Sequence, residues 1–164
     1  MAEVKGSGPK GRITLADVQA ALEPVQFVEC GASQEKSIGW VPPRGEAHGP
    51  LVESVAGQWI MKLMIESKAV PGNVVRRKAD ERIAEIEAAT GRKPGKKEKR
   101  ELMDDVLLSL LPQAFARQST VLVWMDLENR RLVLNAGSQG KADEVMSALM
   151  NVMSGLSVSL IQTV

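Results

Sequence analysis

Six cationic side chains fall within nine consecutive positions near the middle of the chain. They are Arg92, Lys93, Lys96, Lys97, Lys99 and Arg100, and Glu98 is the acidic residue among them. Cations at this density create a strong local positive potential, which attracts phosphate groups and releases their condensed counterions. The pattern predicts a phosphate-binding surface, although a solvated turn between two helices often has the same composition.

The rest of the charge distribution is consistent with one basic region on a neutral protein. A second cationic group, which includes Arg76 and Arg77, lies upstream of the first. Residues 76–101 hold ten Lys and Arg against six Asp and Glu, a net charge of +4, whereas residues 102–164 hold four against six, a net charge of −2. The whole chain has a formal net charge of only +1, so any nucleic-acid surface must be local.

Phe115 and Arg117 form a second candidate contact, because they follow an apolar helical stretch that Pro112 should interrupt. An exposed aromatic side chain can wedge or stack against bases, and an adjacent arginine can bind a phosphate. The alternative is that Phe115 belongs to the hydrophobic core.

Residues suited to catalysis or to metal binding are sparse. Cys30 and His48 are single and have no companions at metal-ligand spacing, and no glycine-rich loop with Gly-Lys-Ser/Thr is present. We therefore expect no catalytic residues, metal, cofactor or small-molecule substrate. One cysteine is compatible with a reducing compartment, and no apolar run approaches a membrane span, so we expect a cytoplasmic protein without a membrane partner.

Local patterns predict the elements that position these residues. Thr14 and Asp17 predict the start of a short helix, and alternation over 58–66 predicts a strand with one buried face. Helices are expected from Asn73 to about residue 90, with Asn73 as N-cap, and from residue 95 until Pro112.

The second half of the chain predicts an alternating strand over 120–127, a hairpin turn near 128–129, a helix over 141–154 and a strand over 157–161. The Gly- and Pro-rich stretch 39–50 predicts a loop, in which Trp40 covers an edge of the core. The class is α+β, with a mixed or antiparallel sheet, a hairpin and amphipathic helices packed on the sheet.

Several short segments resemble, in order and spacing, those of the RdgC family. They are Phe-Val-Glu-Cys-Gly at 27–31, Gly-Trp-Val-Pro-Pro at 39–43, Val-Pro at 70–71, Leu-Leu-Ser-Leu-Leu-Pro-Gln-Ala-Phe-Ala-Arg at 107–117 and Val-Trp-Met-Asp at 123–126. The resemblance covers residues 27–164. The family's chains continue for a comparable length, so the domain expected at 24–164 is incomplete relative to the family.

The RdgC resemblance implies a non-catalytic protein that binds duplex DNA without sequence preference. It implies a homodimer in the nucleoid that modulates recombination and antagonises RecA indirectly. Carried onto this chain, the implied DNA contacts are Arg76, Arg77, Arg92, Lys93, Lys96, Lys97, Lys99, Arg100, Phe115 and Arg117.

The N-terminal segment 3–22 resembles something else, the second half of the peripheral subunit-binding domain of dihydrolipoamide acyltransferases. The similarity lies in Val-Lys-Gly-Ser-Gly-Pro-Lys-Gly-Arg-Ile-Thr-Leu-Ala-Asp-Val at 4–18. It implies that Arg12 is an ion-pair donor to a protein partner, and that residues 1–23 are a foreign loop and helix. Two alternatives to DNA binding follow: a protein-interaction module, or a folded scaffold fragment that does not bind DNA.

Overall fold

The computed structural model describes residues 6–153 and 155–161, and these residues have the predicted α+β class. They form two compact units. The first comprises the described residues within Met1–Val28, Ile38–Ile65 and Ser119–Val164, and the second comprises Glu29–Ser37 and Glu66–Gln118. No helix among the described residues is both long enough and apolar enough to cross a membrane.

The helices and strands follow one another in a mixed order. They are α1 (Leu15–Leu22), β1 (Lys36–Val41), β2 (Val52–Val55), β3 (Gln58–Lys68), α2 (Gly72–Thr90), α3 (Lys96–Leu110), β4 (Ala116–Asp126), β5 (Arg131–Leu134) and α4 (Gln139–Val152). The sheet order is β1-β3-β4-β5, and β2 also pairs with β3. The β2–β3 and β4–β5 pairs are antiparallel, so the hairpin predicted near 128–129 is confirmed.

The core of the first unit lies between one face of the sheet and two helices. Alternation along β3 and β4 directs every second side chain inward, as the sequence predicted. Helices α1 and α4 cover this face with apolar side chains, of which Val18 and Leu149 are fully buried. Each large side chain removed from water in this way contributes about 1.5 to 3 kcal/mol.

The predicted start of α1 is confirmed as a reciprocal capping box. The Thr14 hydroxyl accepts a hydrogen bond from the Asp17 backbone N–H at 3.3 Å, and the Asp17 carboxylate accepts one from the Thr14 N–H at 2.7 Å. The Ser7 backbone N–H also donates to this carboxylate, and these hydrogen bonds hold the pKa of Asp17 well below its usual range. The box fixes the helix that delivers Val18 and Leu22 to the core.

Helices α2 and α3 form an antiparallel hairpin in the second unit. Gly91 ends α2 with φ 69°, a left-handed conformation that glycine adopts without a steric penalty. Val75 and Ala79 near the start of α2 pack against Val106 near the end of α3, which fixes the antiparallel arrangement. The predicted interruption at Pro112 is also confirmed, because α3 ends at Leu110 and a short 3-10 turn over Leu111–Gln113 follows.

The structure corrects the prediction of a loop over 39–50. Residues 39–41 belong to β1, Trp40 is buried, and its carbonyl accepts a hydrogen bond from the Phe27 N–H at 2.9 Å. Gly39 is required in this strand because a Cβ there would collide with the backbone of Phe27. The glycine therefore marks a close approach of two chain segments rather than a turn.

Smaller differences concern the ends of elements. Helix α2 has Pro71 rather than Asn73 as its N-cap, α4 begins at Gln139 after the Ser138 cap, and β2 was not predicted. Residues 157–161 form no strand. Positions 1–5 of the predicted N-terminal loop, Ser154 at the end of the predicted helix and residues 162–164 lie outside the described residues. The predicted boundary near residue 23 stays a prediction.

We expect replacement of Leu63 by Ala to destabilise the protein by about 2 to 5 kcal/mol, because the change leaves a cavity in the core. Leu63 is 0% exposed, whereas Leu108 is 51% exposed on α3, so the same substitution at Leu108 is the matched control. The control should change the free energy of unfolding by no more than about 0.5 kcal/mol. Urea unfolding of the two variants measures both values, and equal losses would contradict the described core.

Candidate nucleic-acid interface

The predicted basic cluster lies at the turn between α2 and α3. We call its six exposed residues the hairpin tip: Arg92, Lys93, Lys96, Lys97, Lys99 and Arg100. Helix α3 begins at Lys96, so three of the lysines lie in its first turn. The unpaired N–H groups and the positive end of the helix dipole are in that turn as well. Side-chain and backbone charges therefore add to one positive potential.

A bidentate ion pair orders the hairpin tip. The Arg92 guanidinium donates to the two Glu98 carboxylate oxygens at 3.0 and 2.8 Å, and the Gly95 N–H donates to the same carboxylate at 3.0 Å. The hydrogen bond from Arg92 is the main cause that lowers the pKa of Glu98, and it raises the pKa of Arg92 in return. Glu98 thus caps α3 and balances part of the positive charge of the turn.

Two of the remaining cations of the hairpin tip have a carboxylate nearby. Lys93 lies 3.7 Å from a Glu87 oxygen and Lys97 lies 3.8 Å from a Glu101 oxygen. Exposed pairs of this kind contribute about 0 to 1 kcal/mol and exchange readily with other anions.

Three cations of the hairpin tip have no such pair. Within the part of the chain that the structure describes, Lys96, Lys99 and Arg100 have no carboxylate oxygen within 4.0 Å. They are therefore available to an external anion.

Arg76 and Arg77 lie at the other end of the hairpin. Both are exposed at the start of α2, in a shallow cleft with Asp80, Glu81 and Met103. From Arg76 to the end of α2 at Thr90 the helix rises about 21 Å, at roughly 1.5 Å per residue. Glu81 pairs with Lys78 at 3.2 Å, and among the described residues neither arginine has a carboxylate oxygen within 4.0 Å.

Phe115 is 95% exposed, so the alternative that it belongs to the core is wrong. Arg117 is also exposed and is the second residue of β4. We call these two residues the Phe115–Arg117 corner. It follows the end of α3, about 21 Å from the helix start by the rise of roughly 1.5 Å per residue. The structure therefore places the corner and the hairpin tip at opposite ends of α3 and does not bring them together.

The other candidate residues stand apart from both regions. Arg12 is exposed after a short 3-10 turn, where its carbonyl accepts a hydrogen bond from the Gly8 N–H. Cys30 is half-buried, and burial, followed by Glu66, raises the pKa of its thiol. No group of three His, Cys, Asp or Glu side chains that could hold a metal ion is found among residues 6–153 and 155–161.

One buried carboxylate was not predicted from the sequence. Glu66 is 1% exposed, and its oxygens accept hydrogen bonds from the Cys30 N–H and from the Gln118 side chain, both at 2.6 Å. The hydrogen bond from Gln118 is the largest cause that lowers the pKa of Glu66. The only signal in the sequence was a carboxylate at the end of an apolar alternating run, which is indistinguishable from a solvated strand end.

Comparisons with known proteins agree with one another. Residues 8–164 match the family model described as "Putative exonuclease, RdgC". The chain is 36% identical over 151 residues to the recombination-associated protein RdgC of Dechloromonas aromatica, covering 92% of this chain and 49% of that protein. It is 37% identical over 145 residues to the RdgC of Haemophilus influenzae, covering 88% of this chain and 47% of that protein.

The extent of these matches bears on two expectations. The chain spans about half the length of the curated relatives that it matches. The family match begins at residue 8, so it includes α1 and most of the segment 1–23 that was expected to be foreign. No comparison supports the resemblance to a peripheral subunit-binding domain, and the protein-binding role of Arg12 stays a prediction.

We expect the Arg92→Gln variant to raise the pKa of Glu98 toward its ordinary value of about 4.3. The lowered pKa means that this ion pair stabilises the turn fully above the unfolded-state pKa, and that the stabilisation is lost as the pH falls through the folded-state pKa. Carbon-13 NMR titration of the Glu98 carboxyl measures the shift. Lys97→Gln is the control, because Lys97 pairs with Glu101 rather than Glu98. Equal shifts in the two variants would contradict the assigned pair.

Proposed function

This chain belongs to the RdgC family, and we propose that it binds duplex DNA without sequence preference and thereby modulates recombination. The proposal depends chiefly on one observation: the start of α3 presents Lys96, Lys99 and Arg100 without carboxylate partners among the described residues, at the positive end of a helix. The curated relatives are named recombination-associated proteins, which supports the process but names no ligand.

Phosphates are the ligand that the hairpin tip fits best. Lysine and arginine side chains and the N–H groups of a helix start bind phosphate oxygens, which carry no sequence information. Binding of this kind is strongly dependent on salt, with a slope of about −0.9 in log K against log salt for each phosphate that is neutralised. A surface made of such contacts positions the protein on DNA of any sequence.

The Phe115–Arg117 corner supplies a second contact of a different kind. Arg117 binds a phosphate, and Phe115 makes an apolar contact at a base step or a sugar. Helix α3, which lies between the two regions in the chain, is about 21 Å long. That length corresponds to roughly 12 phosphates of a duplex, which carries one charge per 1.7 Å of its axis. Two contact regions at opposite ends of α3 favour a duplex long enough to reach both.

The proposed role in recombination follows from binding to duplex DNA. The protein acts in the nucleoid as a homodimer, limits RecA indirectly by occupying duplex DNA, and does not cleave it. The family description contains the word exonuclease, which suggests the competing function of DNA cleavage. Incubation of end-labelled duplex with Mg²⁺ distinguishes cleavage from binding alone. Shortening of the duplex would contradict the non-catalytic role.

We expect the quadruple variant Lys96→Gln, Lys97→Gln, Lys99→Gln and Arg100→Gln to lose duplex affinity by tenfold or more at about 0.1 M salt, because phosphate contacts are lost. Its salt slope should be smaller by up to about 3.6, or roughly 0.9 for each contact. Fluorescence anisotropy of a labelled duplex at several salt concentrations measures both quantities.

The control for the quadruple variant removes the same charge elsewhere. It carries Gln at Arg12, Arg130, Arg131 and Lys141, all outside the second unit. Its affinity should fall much less, since the proposed phosphate contacts of the hairpin tip are left intact. Equal losses in the two variants would show that only net charge matters and would contradict a DNA surface at the hairpin tip.

We expect Phe115→Ala to weaken duplex binding by about five- to 150-fold, if stacking or wedging contributes about 1 to 3 kcal/mol as it does for other aromatic contacts. The salt slope should stay the same, because the lost contact is apolar. Leu108→Ala, on the exposed side of α3, is the control and should leave the affinity unchanged. A Phe115→Ala variant that binds as tightly as the wild type would remove the corner from the interface.

A further inference from the structure

The chain around the Phe115–Arg117 corner is fixed on both sides within the second unit. On one side, Leu111 is fully buried and its carbonyl accepts a hydrogen bond from the Ala114 N–H at 3.1 Å. On the other side, the Gln118 side chain donates to the buried Glu66 carboxylate at 2.6 Å. The exposed residues Phe115 and Arg117 lie between these two fixed points.

Glu66 is itself held in place by neighbours in the same unit. Its second oxygen accepts the Cys30 N–H at 2.6 Å, and its backbone carbonyl accepts the Cys30 thiol at 3.8 Å. The nearby Lys68 ammonium donates to the Gly31 carbonyl at 2.9 Å. A carboxylate that is 1% exposed and accepts two short hydrogen bonds has little freedom to reorient.

Side-chain alternation in β4 links the Gln118–Glu66 hydrogen bond to the direction in which Arg117 projects. Successive side chains of a strand point to opposite faces, so Gln118 and Arg117 project in opposite directions. When Glu66 holds Gln118 on one face, Arg117 must project from the other face. Phe115 immediately precedes β4, two residues before Arg117, and is 95% exposed.

We propose that the Glu66–Gln118 hydrogen bond is a positioning contact, which holds Phe115 and Arg117 in the conformation that meets duplex DNA. This inference is an extension of the proposed function and rests on it. An exposed aromatic side chain on a mobile segment would have to be ordered at each binding event, and preorganisation removes that cost. Glu66 and Gln118 themselves do not contact the DNA.

The first test variant is Gln118→Met, which keeps the length of the side chain and removes the donor to Glu66. We expect duplex affinity to fall by about two- to tenfold, the range that corresponds to the ordering of one or two side chains. The second variant exchanges the partners, Glu66→Gln with Gln118→Glu. A glutamine at position 66 can still accept the Cys30 N–H while it donates to a glutamate at position 118, so affinity should return to within about twofold of the wild type.

A double-mutant cycle separates a positioning effect from a general loss of structure. In the background Phe115→Ala with Arg117→Gln, the corner is already removed, so Gln118→Met should cause no further loss of affinity. Hydrogen exchange of the amides at 114–117 should be faster in Gln118→Met than in the wild type, and should return to the wild-type rate in the exchanged pair.

The outcomes are distinguishable. Restored affinity in the exchanged pair, together with no further loss in the corner background, supports the inference. A Gln118→Met variant that binds like the wild type overturns it and leaves the proposed function intact if Phe115→Ala still weakens binding. A further loss in the corner background also overturns it, because the effect would then be general. If neither the corner variants nor the hairpin-tip variant weakens binding, the proposed function itself fails.

Discussion

Repulsion among six cations within nine residues is the constraint on which the candidate interface depends. The hairpin that presents them has only a small buried cluster, formed by Val75, Ala79 and Val106. The bidentate contact of Arg92 with Glu98 offsets part of the repulsion at the point where the chain turns. The Glu98 carboxylate also accepts the Gly95 N–H and so caps α3, which means that one carboxylate orders both the turn and the helix start.

This arrangement has a consequence for function, because the number of cations in the sequence exceeds the number available to DNA. Arg92 is committed to Glu98, and Lys93 and Lys97 have carboxylate neighbours of their own. Within the hairpin tip, the cations without a carboxylate partner among the described residues lie at the start of α3. A surface of this kind binds phosphates through a limited number of contacts, and the corner at the far end of α3 adds an apolar contact that salt does not screen.

The features that could be predicted from the sequence are those whose signals are local. The Thr14 and Asp17 capping box, the start of α3 after Gly95 and the β4–β5 hairpin each depend on residues a few positions apart. By contrast, β1 depends on a close approach of Phe27 to Gly39, and Glu66 depends on Cys30 and Gln118, which are 36 and 52 residues away. Phe115 was ambiguous because an aromatic residue after an apolar helix is typical of a core, and only its surroundings show its exposure.

The central claim, sequence-independent binding through phosphates, is tested most directly by the unmodified protein. Two labelled duplexes of equal length and unrelated sequence are titrated with it at several salt concentrations, with anisotropy as the readout. We expect equal affinities at each salt concentration and a linear fall of log K with log salt, with a slope of about −3 to −5 for roughly three to six phosphate contacts. A reproducible preference for one duplex, or a slope near zero, would contradict the claim.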